Sequence, residues 1–276
     1  MLSNTLPGGN AVLAIAILNC EVFVLREETS ELKVYDSVKL QMKRRLAVMK
    51  LIDPSSMASS PKYNCLYIAE GYTSNSDARV HRVNMKGKTI IWPLKNGKHY
   101  PHGMTVASDG ENIIILHVPS PCTLSEYTTY GKFVRVISLQ EDIICPKWAM
   151  QLFNRLFIVC HGNSHWDVDP LSRVCIVDDS GHIVRSCGGQ PGSSVGQLND
   201  PCHLDQDKFG DVVVADKKNQ RICLFSSSLT YIRELVSLPD TKRPSWQPDS
   251  VCLDEMNGRL FVSDNSTNEV LIFKVK

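Results

Sequence analysis

Residues 201–235 read PCHLDQDKFGDVVVADKKNQRICLFSSSLTYIREL. A proline opens a short apolar run. A polar turn ends at Gly210, and the strongly apolar VVVAD follows, closed by Asp216. A polar loop then leads into Arg221-Ile-Cys-Leu-Phe225. Short runs rich in Val, Ile, Leu and Phe, split by Gly, Asn and Asp turns, are strand signals. The same order recurs after Pro248 (PDSVCLDEMNGRLFVSDNSTNEVLIFKV), and in looser form after Pro54, Pro101 and Pro146. A degenerate first copy starts near Pro7, with EVFVL and then LKVYD. The spacings between these prolines are 47, 47, 45, 55 and 47 residues. Extra residues in HGNSHWDVDPLS and CGGQPGSSVGQLND account for the longest.

A period near 45 with four short strands per unit is that of a propeller blade. The predicted fold is therefore all-β: one six-bladed β-propeller of four-stranded antiparallel blades. It spans 1–276, with blades at about 7–53, 54–100, 101–145, 146–200, 201–247 and 248–276. No amphipathic helical window of useful length interrupts the pattern. The chain ends on the third strand of its last unit, VLIFKVK. The outer strand that closes the ring must then come from residues 1–8, a weak strand sequence, or be absent.

Composition bounds the function. The 276 residues are 43% hydrophobic with a formal net charge of +1. That is enough apolar material for a large core, and it argues against attachment to nucleic acid by bulk positive charge. Ten cysteines include no C-x-x-C pair. Cys65, Cys160, Cys175, Cys223 and Cys252 sit inside apolar runs, as small buried hydrophobes do. Free thiols suit a reducing, cytoplasmic setting. No apolar run is long enough to cross a bilayer, so no membrane partner is expected. Ala11–Leu18 reads as a first strand rather than a signal segment, since residues 1–10 carry no Lys or Arg.

The fifth unit resembles the NHL repeat. The residues that carry the likeness are Gly189, Gly192, Gly196, Gln197, Leu198, Pro201, Asp205, Gly210, Val214, Ala215, Asp216, Asn219, Arg221, Ile222 and Phe225. The sixth unit is a second copy, with Val262, Ser263, Asp264, Asn268 and Phe273, and the other four are diverged. At motif level the likeness is strong over roughly 188–276. The C-terminal domain of tripartite-motif NHL proteins is similar. That resemblance implies a propeller that recruits protein substrates or RNA for a ubiquitin ligase whose RING lies elsewhere. The motif's own physics is structural. Its Asp can accept backbone N–H groups, its Asn and Arg can tie loops together, and its Gly allows a turn with positive φ.

In such a blade the second-to-third-strand loop and the linker to the next blade share one face. That linker face gathers unusual side chains, and the sequence places a binding site there. Its candidates are Tyr72, Trp92, Lys95, Lys98, Tyr100, His102, Trp148, His165, Trp166, His203, Lys217, Lys218, Lys242, Arg243 and Trp246. All four tryptophans map to it. Each either caps a blade junction or stands exposed, and Trp166 and Trp246 are the ones expected to be exposed. Tryptophan and arginine are the residues most enriched at interface hot spots. A protein partner is expected. Single-stranded RNA is the alternative, with Lys95, Lys98, Lys217, Lys218, Lys242 and Arg243 beside aromatics. No DNA partner and no cofactor are called for.

Catalytic motifs are weak. Gly192-Ser193-Ser194-Val195-Gly196 fits the nucleophile elbow but lies in a linker with no helix after it. Asp205, Asp207 and Gly210 resemble part of a calcium loop without its terminal glutamate. His102 and His203 lie one and two residues after their prolines, with no third His to complete a metal set. The chain is therefore read as a non-enzyme, a metal-dependent propeller lyase or lactonase being the alternative. Asn265-Ser266-Thr267 is a glycosylation sequon.

Overall fold

The apolar runs form the inner and middle strands of six antiparallel sheets in the computed structural model. It describes all residues except 28–30, 50, 72–77, 96–99, 153–154, 163–169, 242 and 276. Blade one holds β2 (Val12–Leu18), β3 (Glu21–Arg26), β4 (Glu31–Asp36) and β5 (Met42–Ala47). Blade two holds β6 (Pro54–Ser60), β7 (Cys65–Glu70), β8 (Arg79–Asn84) and β9 (Thr89–Pro93). Blade three holds β10 (Tyr100–Val106), β11 (Asn112–Val118), β12 (Thr123–Thr128) and β13 (Phe133–Ser138). Blade four holds β14 (Pro146–Gln151), β15 (Phe157–His161), β16 (Ser172–Val177) and β17 (Ile183–Gly189). Blade five holds β18 (Pro201–Gln206), β19 (Val212–Asp216), β20 (Arg221–Phe225) and β21 (Tyr231–Val236). Blade six holds β22 (Pro248–Asp254), β23 (Arg259–Asp264) and β24 (Glu269–Lys274), and takes β1 (Leu2–Leu6) as its outer strand.

The strand patterns follow from radial position. A middle strand is covered on both faces by neighbouring blades, so β7, β15 and β19 are buried along their whole length. An outer strand has a solvent face, and β13 alternates between half-buried and exposed at its start. The core is divided into six apolar clusters, one at each blade junction. All ten cysteines are free, and Cys65, Cys160, Cys175 and Cys223 are buried among apolar neighbours. Cys252 is half-buried. No helix among the described residues is long and apolar enough to cross a membrane.

Ring closure works despite the weak sequence of β1. It pairs antiparallel with β24, from Leu2 opposite Phe273 to Leu6 opposite Val270. An edge strand needs ladder hydrogen bonds more than apolar side chains, and the buried Leu6 supplies the anchor. Arg26 locks this seam. Its guanidinium donates to the carbonyls of Pro7 and Asn10, which follow β1, and to Asn268 of blade six, at 2.7–2.8 Å.

Candidate site at the mouth of the central channel

Every inner strand bears a β-bulge near its start, after the first ladder pair in five blades and after the second in blade three. The skipped residues are Leu13, Ser55, His102, Lys147 and Cys202, with Asp249 and Ser250 skipped together in blade six. A bulge re-aims a side chain. Here six bulges, repeated around the axis, turn one residue from each of five blades and two from blade six toward the channel. All of them line a cavity of about 1230 Å³ on the linker face. The next residue along wedges between inner strands. The Trp148 indole stacks on His203 with ring centroids 3.9 Å apart. Blade three makes room with Gly103, where a Cβ would lie 2.9 Å from the Trp148 ring.

Around this mouth, the residue opposite the last ladder position before each bulge is polar or charged and buried. These are Arg26, Glu70, His117, His161, Asp216 and Asp264. Five of them end the second strand of their blade and His117 is the last residue but one of β11, just before the loop that carries surface residues. Asp216 accepts the Asn199 N–H at 2.6 Å, and the Asn219 amide and Arg221 Nε at 2.8 Å each. Arg221 goes on to the carbonyls of Ser193 and Gln197 in the linker. The motif residues thus brace the mouth. Gly210 has φ +89°, as its turn requires.

The electrostatics of the mouth are largely self-contained. Lys147 pairs with Asp200, Lys217 with Asp249 at 2.5 Å, and Lys218 lies 3.9 Å from Asp200. Burial pushes His203 down to about 4, and burial with nearby Lys147 lowers His102, so both imidazoles are neutral near pH 7. The Val251 N–H approaches His203 Nδ1 at 3.4 Å. The Cys202 thiol is held well above its usual range by burial, close to the carbonyls of Pro248 and Asp249. It is a neutral thiol, not a thiolate nucleophile.

One pair looks catalytic by distance alone. His161 Nε2 lies 3.1 Å from Cys175 Sγ, with Arg173 Nε also 3.1 Å from the same nitrogen. Burial, then Arg173, drives His161 down to about 4, and burial drives Cys175 up to about 12. An activated Cys–His pair needs the opposite shifts. Both side chains are also fully buried. Among the described residues no group of three His, Cys, Asp or Glu is placed to hold a metal ion.

The sequence-derived candidates separate on this geometry. His102, Trp148, His203 and Lys217 come together at the channel, with Lys218 further out on the rim. Tyr100 is half-buried at the start of β10. The picture of an exposed aromatic face needs correction. Trp92 and Trp148 are each 8% exposed and Trp246 is fully buried. Trp246, expected to be exposed, packs on Phe273 at the junction of blades five and six. An indole in a linker is large enough to plug the gap between two twisted sheets, and burial there outweighs its polar N–H. Lys95 and Arg243 also lie off the channel. Lys95 sits over the Phe133 ring at 5.1 Å, and Arg243 pairs with Glu269. Tyr72, Lys98, His165, Trp166 and Lys242 lie outside the described residues.

Sequence reasoning left Leu13, Ser55, Lys147, Cys202 and Asp249 off the candidate set. A signal for them existed: with Leu13 excepted, each directly follows its repeat's proline.

No family model matches the chain, and no curated protein matches it. Solved structures match over nearly its full length. A protein of unknown function from Bacteroides thetaiotaomicron aligns with TM-score 0.74 at 11% identity, covering 99% of this chain and 72% of that one. The β-propeller domain of Cps50 (Swd1) from Myceliophteria thermophila aligns at 0.64 and 10% identity, covering 99% of both. A catalytically inactive virginiamycin B lyase from Staphylococcus aureus, solved with quinupristin, aligns at 0.65 and 14% identity, covering 98% and 83%. At such identities the likeness is one of propeller fold.

Proposed function

We propose that this propeller is a non-catalytic binding platform. It recognises a protein partner on the linker face, as the substrate-recognition part of a ubiquitin-ligase-type assembly of the NHL kind. One observation carries the reading: six bulges, one per blade, gather at least one side chain from every blade into a single open cavity on that face. A ring core needs no such convergence. Concave sites with a few placed polar groups among apolar ones are where ligands bind. The motif residues of blades five and six, and the braced loops around the mouth, support the assignment to the NHL type.

Binding of single-stranded RNA on the same face is the weaker reading. Of the basic residues it relied on, Lys95, Lys217, Lys218 and Arg243 already have partners within the chain.

The test is capture by the immobilised full chain. Wild type is compared with Ile52→Asp/Lys218→Glu on the linker face and Tyr130→Ala on the opposite face. The platform reading expects protein capture that survives ribonuclease, is lost in the linker-face variant and is kept in Tyr130→Ala. Loss in Tyr130→Ala alone would move the surface to the other face. Loss on ribonuclease treatment would favour RNA.

A further inference from the structure

Charge is unevenly spread along the outer perimeter of the ring. The stretch from the end of a blade's third strand to the end of its fourth is 37–47 (SVKLQMKRRLA) in blade one, 85–93 (MKGKTIIWP) in blade two and 129–138 (TYGKFVRVIS) in blade three. All three are described, and together they hold eight Lys or Arg residues and no Asp or Glu. The matching stretches of blades four and five, 178–189 (DDSGHIVRSCGG) and 226–236 (SSSLTYIRELV), hold two Arg and three carboxylates. The three basic stretches run head to tail as one belt. The Arg44 Nη1 donates to the Met85 carbonyl at 3.4 Å, and a Cβ on Gly87 would lie 2.7 Å from the Ala47 carbonyl oxygen, so the second hairpin seats on the end of β5. A Cβ on Gly131 would run into the Trp92 ring, so the third hairpin seats on β9. Neighbouring strands neutralise part of the belt: Glu21 holds Lys43 and Arg44, Glu31 holds Arg45, and Glu126 holds Arg135. Lys86, Lys88 and Lys132 are exposed and form no ion pair among the described residues. Between the cations stand Met42, Ile90, Val134 and Val136, all exposed.

We infer that this belt rests on a bilayer surface rich in anionic lipid. Lys86, Lys88 and Lys132 meet the lipid phosphates and carboxylates, and Ile90 enters the boundary between headgroups and acyl chains. Crossing a bilayer takes a long apolar segment, but lying against one takes only cations interleaved with apolar side chains. Single-stranded nucleic acid fits the belt less well. Its bases stack on aromatic rings, whereas the exposed apolar residues here are aliphatic except Tyr130, whose ring already has the Arg82 guanidinium 4.6 Å from its centroid. The inference does not depend on the platform reading. With the perimeter of blades one to three against lipid, the linker face stays open for a partner.

Co-sedimentation of the full chain with vesicles tests this, using phosphatidylcholine alone and phosphatidylcholine with about 30 mol% phosphatidylserine. The phosphatidylserine vesicles are expected to bind about tenfold or more tightly than the neutral ones, and the difference should shrink as salt rises. Lys86→Gln/Lys88→Gln/Lys132→Gln is expected to lose about tenfold or more, and Ile90→Ser about threefold. Arg155→Gln/Lys208→Gln/Lys274→Gln removes the same charge from exposed positions on blades four to six and should stay within about twofold of wild type. The thermal midpoints of both triple variants should match wild type, because the substituted side chains are exposed. Three results overturn the inference: equal binding to the two kinds of vesicle, equal losses in the two triple variants, or no loss in Ile90→Ser. Binding of oligouridylate or polyglutamate through Lys86, Lys88 and Lys132, with vesicles left unbound, also overturns it and gives the belt to nucleic acid or an acidic protein. None of these outcomes touches the platform reading, which stands or falls on the capture experiment with Ile52→Asp/Lys218→Glu.

Discussion

Blades five and one solve the same problem with opposite chemistry. In blade five the second strand ends on Asp216, a buried acceptor that gathers N–H groups from Asn199, Asn219 and Arg221. In blade one the matching position is Arg26, a buried donor that gathers carbonyls from Pro7, Asn10 and Asn268. Blade two uses Glu70, which accepts from the Ile52 N–H and pairs with Arg79. The fold thus does not require aspartate at this point. It requires a buried group that can hydrogen-bond the linker and loop backbone, because unpaired main-chain groups there cost free energy. The linker adapts its donors or acceptors to whichever residue is present.

This contrast can be broken at graded cost. The largest effect is expected for Asp216→Ala, which strands buried Arg221 and the Asn199 N–H. Removing one partner of a buried pair costs about 3–5 kcal/mol. Denaturant unfolding should show that loss, and Asp216→Asn, which keeps an acceptor, should lose less. Arg26→Met keeps much of the side chain's bulk but leaves three carbonyls to water. A loss of about 2–3 kcal/mol is expected, with faster proteolysis near residues 7–11 because the seam opens. If Arg26→Met matches wild type in both, the donor reading of blade one is wrong.

Blade four offers a pH test, since its closing residue titrates. His161 is lowered to about 4 in the fold, against about 6.5 unfolded. Its neutral form therefore contributes stability that is complete above about pH 6.5 and is lost as pH falls through 4. His203 has the same sign and window. Asp205, raised by burial to about 6, has the opposite sign: its contribution is present at low pH and lost as pH rises through 6. In His161→Gln, the fall in stability between pH 6.5 and 4 should be smaller by about 2 kcal/mol. Urea titrations at stepped pH would show an unchanged slope if His161 is not the responsible group. The smallest effect belongs to blade six, where Asp264 accepts from several donors. Ser266→Ala removes only its hydroxyl bond of 2.7 Å, and about 0.5–1 kcal/mol is expected.

Much of this was legible in the chain. The prolines at regular spacing, the fully apolar middle strands and Asp216 with Asn219 and Arg221 pointed to the blades and their braced loops. The site was only half legible. His102, Trp148, His203 and Lys217 were found, because histidine, tryptophan and lysine attract notice in linkers. Leu13, Ser55 and Cys202 do not, yet the bulges turn them into the same cavity. Trp246 misled for the converse reason: a bulky indole in a polar linker looks exposed until two sheets close around it.

The sequence by itself determined the number of blades, their strand order and the closing aspartates of blades five and six, because these depend on local periodicity and on hydrogen-bonding capacity. Only the tertiary structure decided which side chains face the axis, that the weak strand β1 closes the ring, and which lysines are already neutralised. Those outcomes depend on register shifts and on contacts between residues up to the full chain length apart, which no local pattern records.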